Sequence, residues 1–186
     1  MTDPAPLDPA GLADAVVLLD ADGRPCGAAD RTRIHTGETP YHLAFSSYLF
    51  DDRGRVLLTR RALGKKTWPG VWTNSCCGHP RPGEEPRDAV VRRVIEELGH
   101  PPVGLRLVLD AFAYRAVDAS GVVENELCPV WVGRFDPERL SPEPDEVMDT
   151  AWVAWRSLVD AIAAVPQAFS PWAALQVPLL DAALNG

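Results

Sequence analysis

Four histidines (His35, His42, His79 and His100) and four cysteines (Cys26, Cys76, Cys77 and Cys128) are the metal-ligating and nucleophilic side chains to place first in this chain. His35 and His42 flank the bend Gly37-Glu38-Thr39-Pro40, and His79 follows Cys77-Gly78 in an irregular stretch. Chain order alone does not bring them together. The cysteine spacing is irregular and has no CxxC, which argues against a zinc ribbon or a disulfide framework, so free thiols are expected. Glu124 and Glu126 alternate on a predicted strand and share one face. Cys128, Val130 and Val132 continue that face, which places two carboxylates at the end of an apolar stripe. Such a pair repels unless a cation or a proton lies between its members. An exposed strand face is the alternative reading.

A second constellation is an anion site. The chain's only lysines, Lys65 and Lys66, lie just after Arg60 and Arg61. A third is the run Gly78-His79-Pro80-Arg81-Pro82-Gly83-Glu84 followed by Arg92-Arg93-Val94-Ile95-Glu96-Glu97-Leu98-Gly99. Its spacing resembles the Nudix box, in which a loop feeds a helix whose carboxylates hold a divalent ion against a diphosphate. The hydrolase form of that pattern has Glu where this chain has Arg93. One carboxylate is thus exchanged for a positive charge, so diphosphate binding is expected to persist while diphosphate cleavage is disfavoured.

The segments Thr59–Pro80, His42–Ser47, Glu124–Pro129 and Phe169–Trp172 together resemble type I isopentenyl-diphosphate delta-isomerase of the Nudix superfamily, in order, from about Ala15 to Trp172. The resemblance implies an isomerase of isoprenoid precursor biosynthesis. It would interconvert isopentenyl and dimethylallyl diphosphate by protonation and deprotonation through a tertiary carbocation. A Nudix diphosphate hydrolase is the alternative. By position, His35, His42, His79, Glu124 and Glu126 match the family's single-ion site, which takes Mg²⁺ or Mn²⁺, with Zn²⁺ also compatible. Glu97 matches the site of a second Mg²⁺ that arrives with the diphosphate. Cys77 matches the catalytic thiol, Glu126 the opposing acid/base and Tyr114 its hydrogen-bonding neighbour. Arg61, Lys65 and Arg93 match diphosphate-binding cations. Trp172 matches the ring facing the hydrocarbon, with Trp68 and Trp72 as competitors for that role. No flavin is expected, because the chain has no glycine-rich phosphate loop after a strand and is too short for a barrel.

These residues need elements to position them. The sequence predicts strands over Ala15–Asp20, His42–Phe50, Arg55–Arg60, Leu105–Val117, Val122–Val132 and Ala151–Trp155. Hairpin turns are expected at Asp51-Asp52-Arg53-Gly54 and Asp118-Ala119-Ser120-Gly121. Gly64–Gly83, rich in Gly, Pro and Trp, reads as a functional loop. Pro86–Leu98 is the clearest helix, with Pro86 in its first turn, an apolar face of Val90, Val91, Val94, Ile95 and Leu98, and Gly99 as its stop. Ser157–Val165 and Pro171–Leu184 also read as helical, with Pro178 expected to kink or split the second. The class is α+β, a mixed α/β Nudix-type sandwich with a central mixed sheet flanked by helices.

The chain has 186 residues, 46% hydrophobic and 24% charged, with a net charge of −8. This suits one globular domain over 15–186 behind a loose arm at 1–14, and excludes a disordered chain. The acidic balance argues against nucleic acid and anionic membranes as partners. No run reaches membrane-spanning length and no signal peptide is read at Met1–Pro4, so a cytoplasmic, monomeric enzyme for a small diphosphate is expected. Residues 134–147 carry no legible chemistry.

Overall fold

The computed structural model describes residues 14–186; of the arm expected over 1–14, only Asp14 falls among them. In chain order the elements are β1 (Ala15–Leu19), β2 (Pro25–Asp30), α1 (Arg31–Ile34), β3 (His42–Leu43), β4 (Phe45–Phe50), β5 (Arg55–Arg61), β6 (Trp72–Thr73), β7 (Cys76–Gly78), α2 (Pro86–Leu98), β8 (Val103–Leu109), β9 (Ala113–Val117), β10 (Val123–Leu127), β11 (Val130–Arg134), β12 (Val147–Ala154), α3 (Trp155–Ala164) and α4 (Pro171–Asn185). The α+β class holds, with the strands divided between two mixed sheets. One has the order β2-β1-β3-β10-β9, and the other β12-β5-β4-β11-β8, with β6 on β5 and β7 on β4.

Two apolar runs that read as single strands each change sheets. The first breaks at Ala44, between β3 and β4. The second breaks at Cys128-Pro129, between β10 and β11, where Pro129 has no N–H for the ladder. The breaks lie side by side, because β3 pairs in parallel with β10 (His42 opposite Glu126) and β4 pairs in parallel with β11 (Ser46 opposite Val130). The sheets therefore part at one level, and the cleft lined by His35, Ser46, Cys77, Tyr114 and Glu126 opens between them. Leu105–Val117 likewise divides into β8 and β9, one in each sheet.

The larger sheet is the centre of the sandwich. Strand alternation sends Phe45, Leu49 and Leu57 to one face, beneath Val90, Val94 and Leu98 of α2. Tyr48, Val56, Leu58, Val130 and Val132 go to the other face, beneath Leu158 and Ile162 of α3 and Val177 and Leu180 of α4. Each such large apolar side chain contributes about 1.5–3 kcal/mol by leaving water.

α2 has the expected bounds, with Pro86 at its start and Gly99 at φ 85° as a left-handed cap. Its buried face is rotated from the expected one. Ala89, Val90, Val94, Glu97 and Leu98 are buried, whereas Ile95 is 43% exposed and Val91 half-buried. The rotation follows from packing on β7, and it carries Arg93 and Glu97 into the cleft. Gly78 permits the close approach, since a Cβ there would stand 2.8 Å from Arg93 Cγ.

Three further differences have physical causes. Pro178 lies inside α4 without splitting it, because Trp172, Ala173, Gln176, Val177 and Leu180 anchor the helix on both sides of the proline. β12 begins at Val147, earlier than its apolar pattern, because Val147 pairs with Arg61 of β5, and Trp155 opens α3 instead of ending the strand. β2 was not expected: its sequence PCGAAD has no alternation, and it forms by pairing along β1.

Candidate active site

Register builds the imidazole–carboxylate centre. Glu126 of β10 stands between His42 on one neighbouring strand and Tyr114 of β9 on the other. The Tyr114 hydroxyl accordingly donates to Glu126 Oε2 at 2.9 Å. His42 Nε2 is 3.4 Å from Glu126 Oε1, and His79 Nε2 is 3.1 Å from the same oxygen. The two Nε2 atoms are 3.2 Å apart. His35, beyond the end of α1, sets its ring edge-on to His42, with centroids 5.2 Å apart. One ligand atom each from His35, His42, His79 and Glu126 lies within 4.8 Å of every other. Glu124 falls outside that group but joins it through His35, whose Nε2 is 3.0 Å from Glu124 Oε2.

The donor set fits a single divalent cation. His42 Nδ1 donates to the Pro40 carbonyl at 2.9 Å, which leaves Nε2 as a lone pair facing the cluster. His35 Nε2 and Glu124 Oε2 are buried without a hydrogen-bond partner among the described residues, despite their proximity. Burial pushes His79 down to about 4, so its ring is neutral at neutral pH. Burial disfavours the Glu126 carboxylate, yet the facing His42 and His79 imidazoles hold its pKa well below the usual range. Burial and the Glu126 charge raise Glu124. Three imidazoles with carboxylates suit Mn²⁺ or Zn²⁺ and are compatible with Mg²⁺.

The thiol faces the centre from the other sheet. Cys77 pairs with Ser46, and its Sγ lies 3.5 Å from Ser46 Oγ and 3.0 Å from Asn74 Oδ1. Burial raises the Cys77 thiol to about 11, so it carries its proton at neutral pH. Cys76, its neighbour, turns the opposite way into the apolar cluster under α2. All four cysteines are free thiols. Trp172, 3% exposed, lines the cleft with its ring 5.9 Å from that of Tyr114. Trp68 packs edge-on against Trp172 at 5.4 Å and, like Trp72, does not line the cleft. His100 stands apart, edge-on to Phe135.

Cations gather on the cleft wall, which encloses about 360 Å³. Arg61, Lys65, Lys66 and Arg93 line it, whereas strand alternation turns Arg60 away to the Gly70 carbonyl. Arg61 also stands 5.4 Å over the Trp172 ring. Arg93 pairs with Glu96 at 2.7 Å and with Glu97. Glu97 is buried, and burial raises its pKa. Arg92 grips Glu84 with two bonds of 2.7 and 2.8 Å and the His79 carbonyl at 3.2 Å, so this part of the loop motif is a clasp that fixes His79.

A family model for the NUDIX domain matches residues 40–173. An isopentenyl-diphosphate delta-isomerase of Mycolicibacterium vanbaalenii is 60% identical over 171 residues, covering 92% of this chain and 93% of that protein. One of Frankia alni is 58% identical, covering 88% and 84%. The chain belongs to the isopentenyl-diphosphate delta-isomerase family, within the Nudix fold. Among solved structures, a Deinococcus radiodurans protein superposes with TM-score 0.61 at 19% identity, over 81% of this chain and 89% of that one. A MutT protein of Methanosarcina mazei gives 0.60 at 19%, over 76% and 94%. These two share the fold.

In this member of the isomerase family, four residues in or behind the cleft wall escaped the sequence reading. Asn74 is fully buried: its Oδ1 accepts from Cys77, Thr73 and Trp172, and its Nδ2 donates to the Ser47 and Cys76 carbonyls. Ser46 and Gln176 form a second chain behind the sulfur, with Gln176 Nε2 donating to Ser46 Oγ at 3.0 Å. Glu146, in the stretch that carried no legible chemistry, pairs with Lys65 and Arg93. An Asn three residues before a candidate thiol was the available signal for Asn74; Glu146 offered none. Among the described residues no helix is long and apolar enough to cross a membrane.

Proposed function

We propose that the chain interconverts isopentenyl diphosphate and dimethylallyl diphosphate, supplying isoprenoid precursors, with one catalytic domain over 15–186. The observation that carries this reading is a single cleft lined by Cys77 and Glu126 from different sheets, with Trp172 between polar groups and a cationic wall beside them. Moving an unactivated double bond requires adding a proton at the terminal carbon and removing one two carbons away. An acid/base on each side of a flat hydrocarbon meets that need. In the forward direction one of Cys77 and Glu126 donates and the other accepts; in reverse the roles exchange.

Tyr114 holds the Glu126 carboxyl in place through its hydroxyl and positions the proton there. Trp172 presents its face to the tertiary cation, an attraction of about 2 kcal/mol or more once desolvated. The apolar lining excludes water that would otherwise capture the cation. Arg61, Lys65 and Arg93 grip the diphosphate away from the reacting carbons. His35, His42, His79, Glu124 and Glu126 hold Mg²⁺ or Mn²⁺, with Zn²⁺ chemically compatible, and Glu97 offers a carboxylate for a Mg²⁺ carried in by the diphosphate. A divalent ion at the first site supplies charge that keeps its carboxylates ionised and oriented. Residence in the cytoplasm and action as a monomer belong to the same proposal.

The deciding experiment is proton NMR in heavy water with isopentenyl diphosphate and Mg²⁺. Dimethylallyl diphosphate carrying deuterium is the expected product. Release of phosphate or pyrophosphate without isomerisation would overturn the reading in favour of a hydrolase.

A further inference from the structure

Glu146 lies just before β12 with its backbone held at both ends. Its N–H donates to the Glu143 carbonyl at 3.0 Å, and its carbonyl accepts from Ala62 N at 3.0 Å. The side chain is therefore the part free to move. Its carboxylate takes two of the three cations assigned to the diphosphate: Oε2 pairs with Lys65 Nζ, and Oε1 lies 3.3 Å from Arg93 Nη2. The third cation, Arg61, is held differently, by the neutral Thr67 carbonyl at 3.1 and 2.9 Å. The Lys65 and Glu146 side chains are 24% and 23% exposed, so an anion entering the cleft meets the pair directly.

We propose that Glu146 is an internal anion that holds Lys65 and Arg93 until a diphosphate displaces it, making it a specificity-determining residue against weaker anions. The inference rests on the diphosphate reading above. Arg93 also pairs with Glu96 and Glu97, whereas Glu146 is the carboxylate that ties Lys65 to Arg93, and a ligand that engages both cations together takes its place. A diphosphate has two phosphoryl groups to do so, whereas a single phosphate replaces one carboxylate with little gain. The like charge of Glu146 beside an incoming anion costs affinity for every anion, but proportionally more for the one with fewer contacts.

The test is calorimetric titration of the full chain, in excess Mg²⁺, with inorganic pyrophosphate and separately with inorganic phosphate. Glu146→Gln is expected to bind pyrophosphate about tenfold tighter than the unaltered chain and to gain more for phosphate, so that the preference for pyrophosphate narrows. Glu143→Gln, an exposed carboxylate nearby, is expected to bind as the unaltered chain does. In a Lys65→Met background the gain from Glu146→Gln should shrink. Pyrophosphate binding by Glu146→Gln that is no tighter, or an equal gain from Glu143→Gln, overturns the inference alone. Failure of the unaltered chain and all variants to bind pyrophosphate overturns the diphosphate reading as well.

Discussion

The Cys77 thiol donates to the Asn74 side-chain oxygen at 3.0 Å, and the same oxygen accepts from the Trp172 indole at 2.9 Å. One amide thus sets the direction of both the proposed acid and the proposed cation-facing ring. Its orientation is forced, because the amide nitrogen donates to two backbone carbonyls, of Ser47 and Cys76. Thr73 adds a third donor to the oxygen and bonds Ser170, the cap of α4. Asn74→Ala should lower kcat about 100-fold, the scale of a misplaced catalytic group, with a smaller change in KM. Steady-state NMR rates check this, with thermal unfolding alongside to identify protein that fails to fold.

Cys77→Ala and Glu126→Gln test the proton-transfer pair itself. Each removes an acid/base on one face, and loss of such a group costs about 10²–10⁴ in turnover. Diphosphate binding should survive, because the cationic wall is untouched. Calorimetry with pyrophosphate and NMR turnover together separate the two effects, and full activity in either variant would refute the assigned role.

Lys65→Ala separates anchoring from chemistry. Lys65 faces the cleft, paired with Glu146, and touches neither Cys77 nor the imidazole cluster in this structure. A KM raised about tenfold with kcat nearly unchanged is the expected pattern for lost uniform binding. A KM equal to that of the parent protein would remove Lys65 from the diphosphate site.

The helix α2 and the alternation of Glu124 and Glu126 were legible because their periods are local: one face every 3.6 residues, one face every two. The sheet changes at Ala44 and Pro129 were not, since a continuous apolar run looks the same whether it serves one sheet or two. Pro129 marked a break without indicating that its strand would continue elsewhere. The residues converging on the imidazole–carboxylate cluster were named by resemblance, yet what joins them, His42 beside Glu126 beside Tyr114, is a cross-strand register that no sequence window contains. Glu146 was illegible for the same reason: its partners lie 81 residues away at Lys65 and 53 away at Arg93.

The Glu84–Arg92 clasp predicts an acid limit to stability. Burial alone would raise Glu84, but the Arg92 hydrogen bonds hold its folded pKa below the ordinary 4.5. The unfolded chain therefore binds the proton more readily. The stabilisation is present above about 4.5 and is lost as pH falls through the lower folded pKa. Glu84→Gln should flatten that part of the stability profile between pH 5 and about 3, as measured by urea unfolding at stepped pH. An unchanged slope would mean the clasp contributes nothing to acid sensitivity.

Metal removal and addition test the imidazole cluster without any turnover assay. The folded chain gathers His35, His42, His79 and Glu126 within 4.8 Å, whereas the unfolded chain scatters them. An ion that binds the folded state alone stabilises it by about 2.7 kcal/mol at about a hundred times its Kd. For a chain of this size that corresponds to a rise in Tm of about 5–10 °C. EDTA-treated protein should therefore gain that rise on addition of Mn²⁺, and the bound ion should give a broadened, protein-dependent electron-resonance signal. His79→Ala removes one donor and also relieves the contact between the His42 and His79 Nε2 atoms, so its metal-free Tm should fall little while its response to Mn²⁺ is lost. His100→Ala, remote from the cluster, should keep the full response. An equal Mn²⁺ shift in all three proteins would place the ion elsewhere.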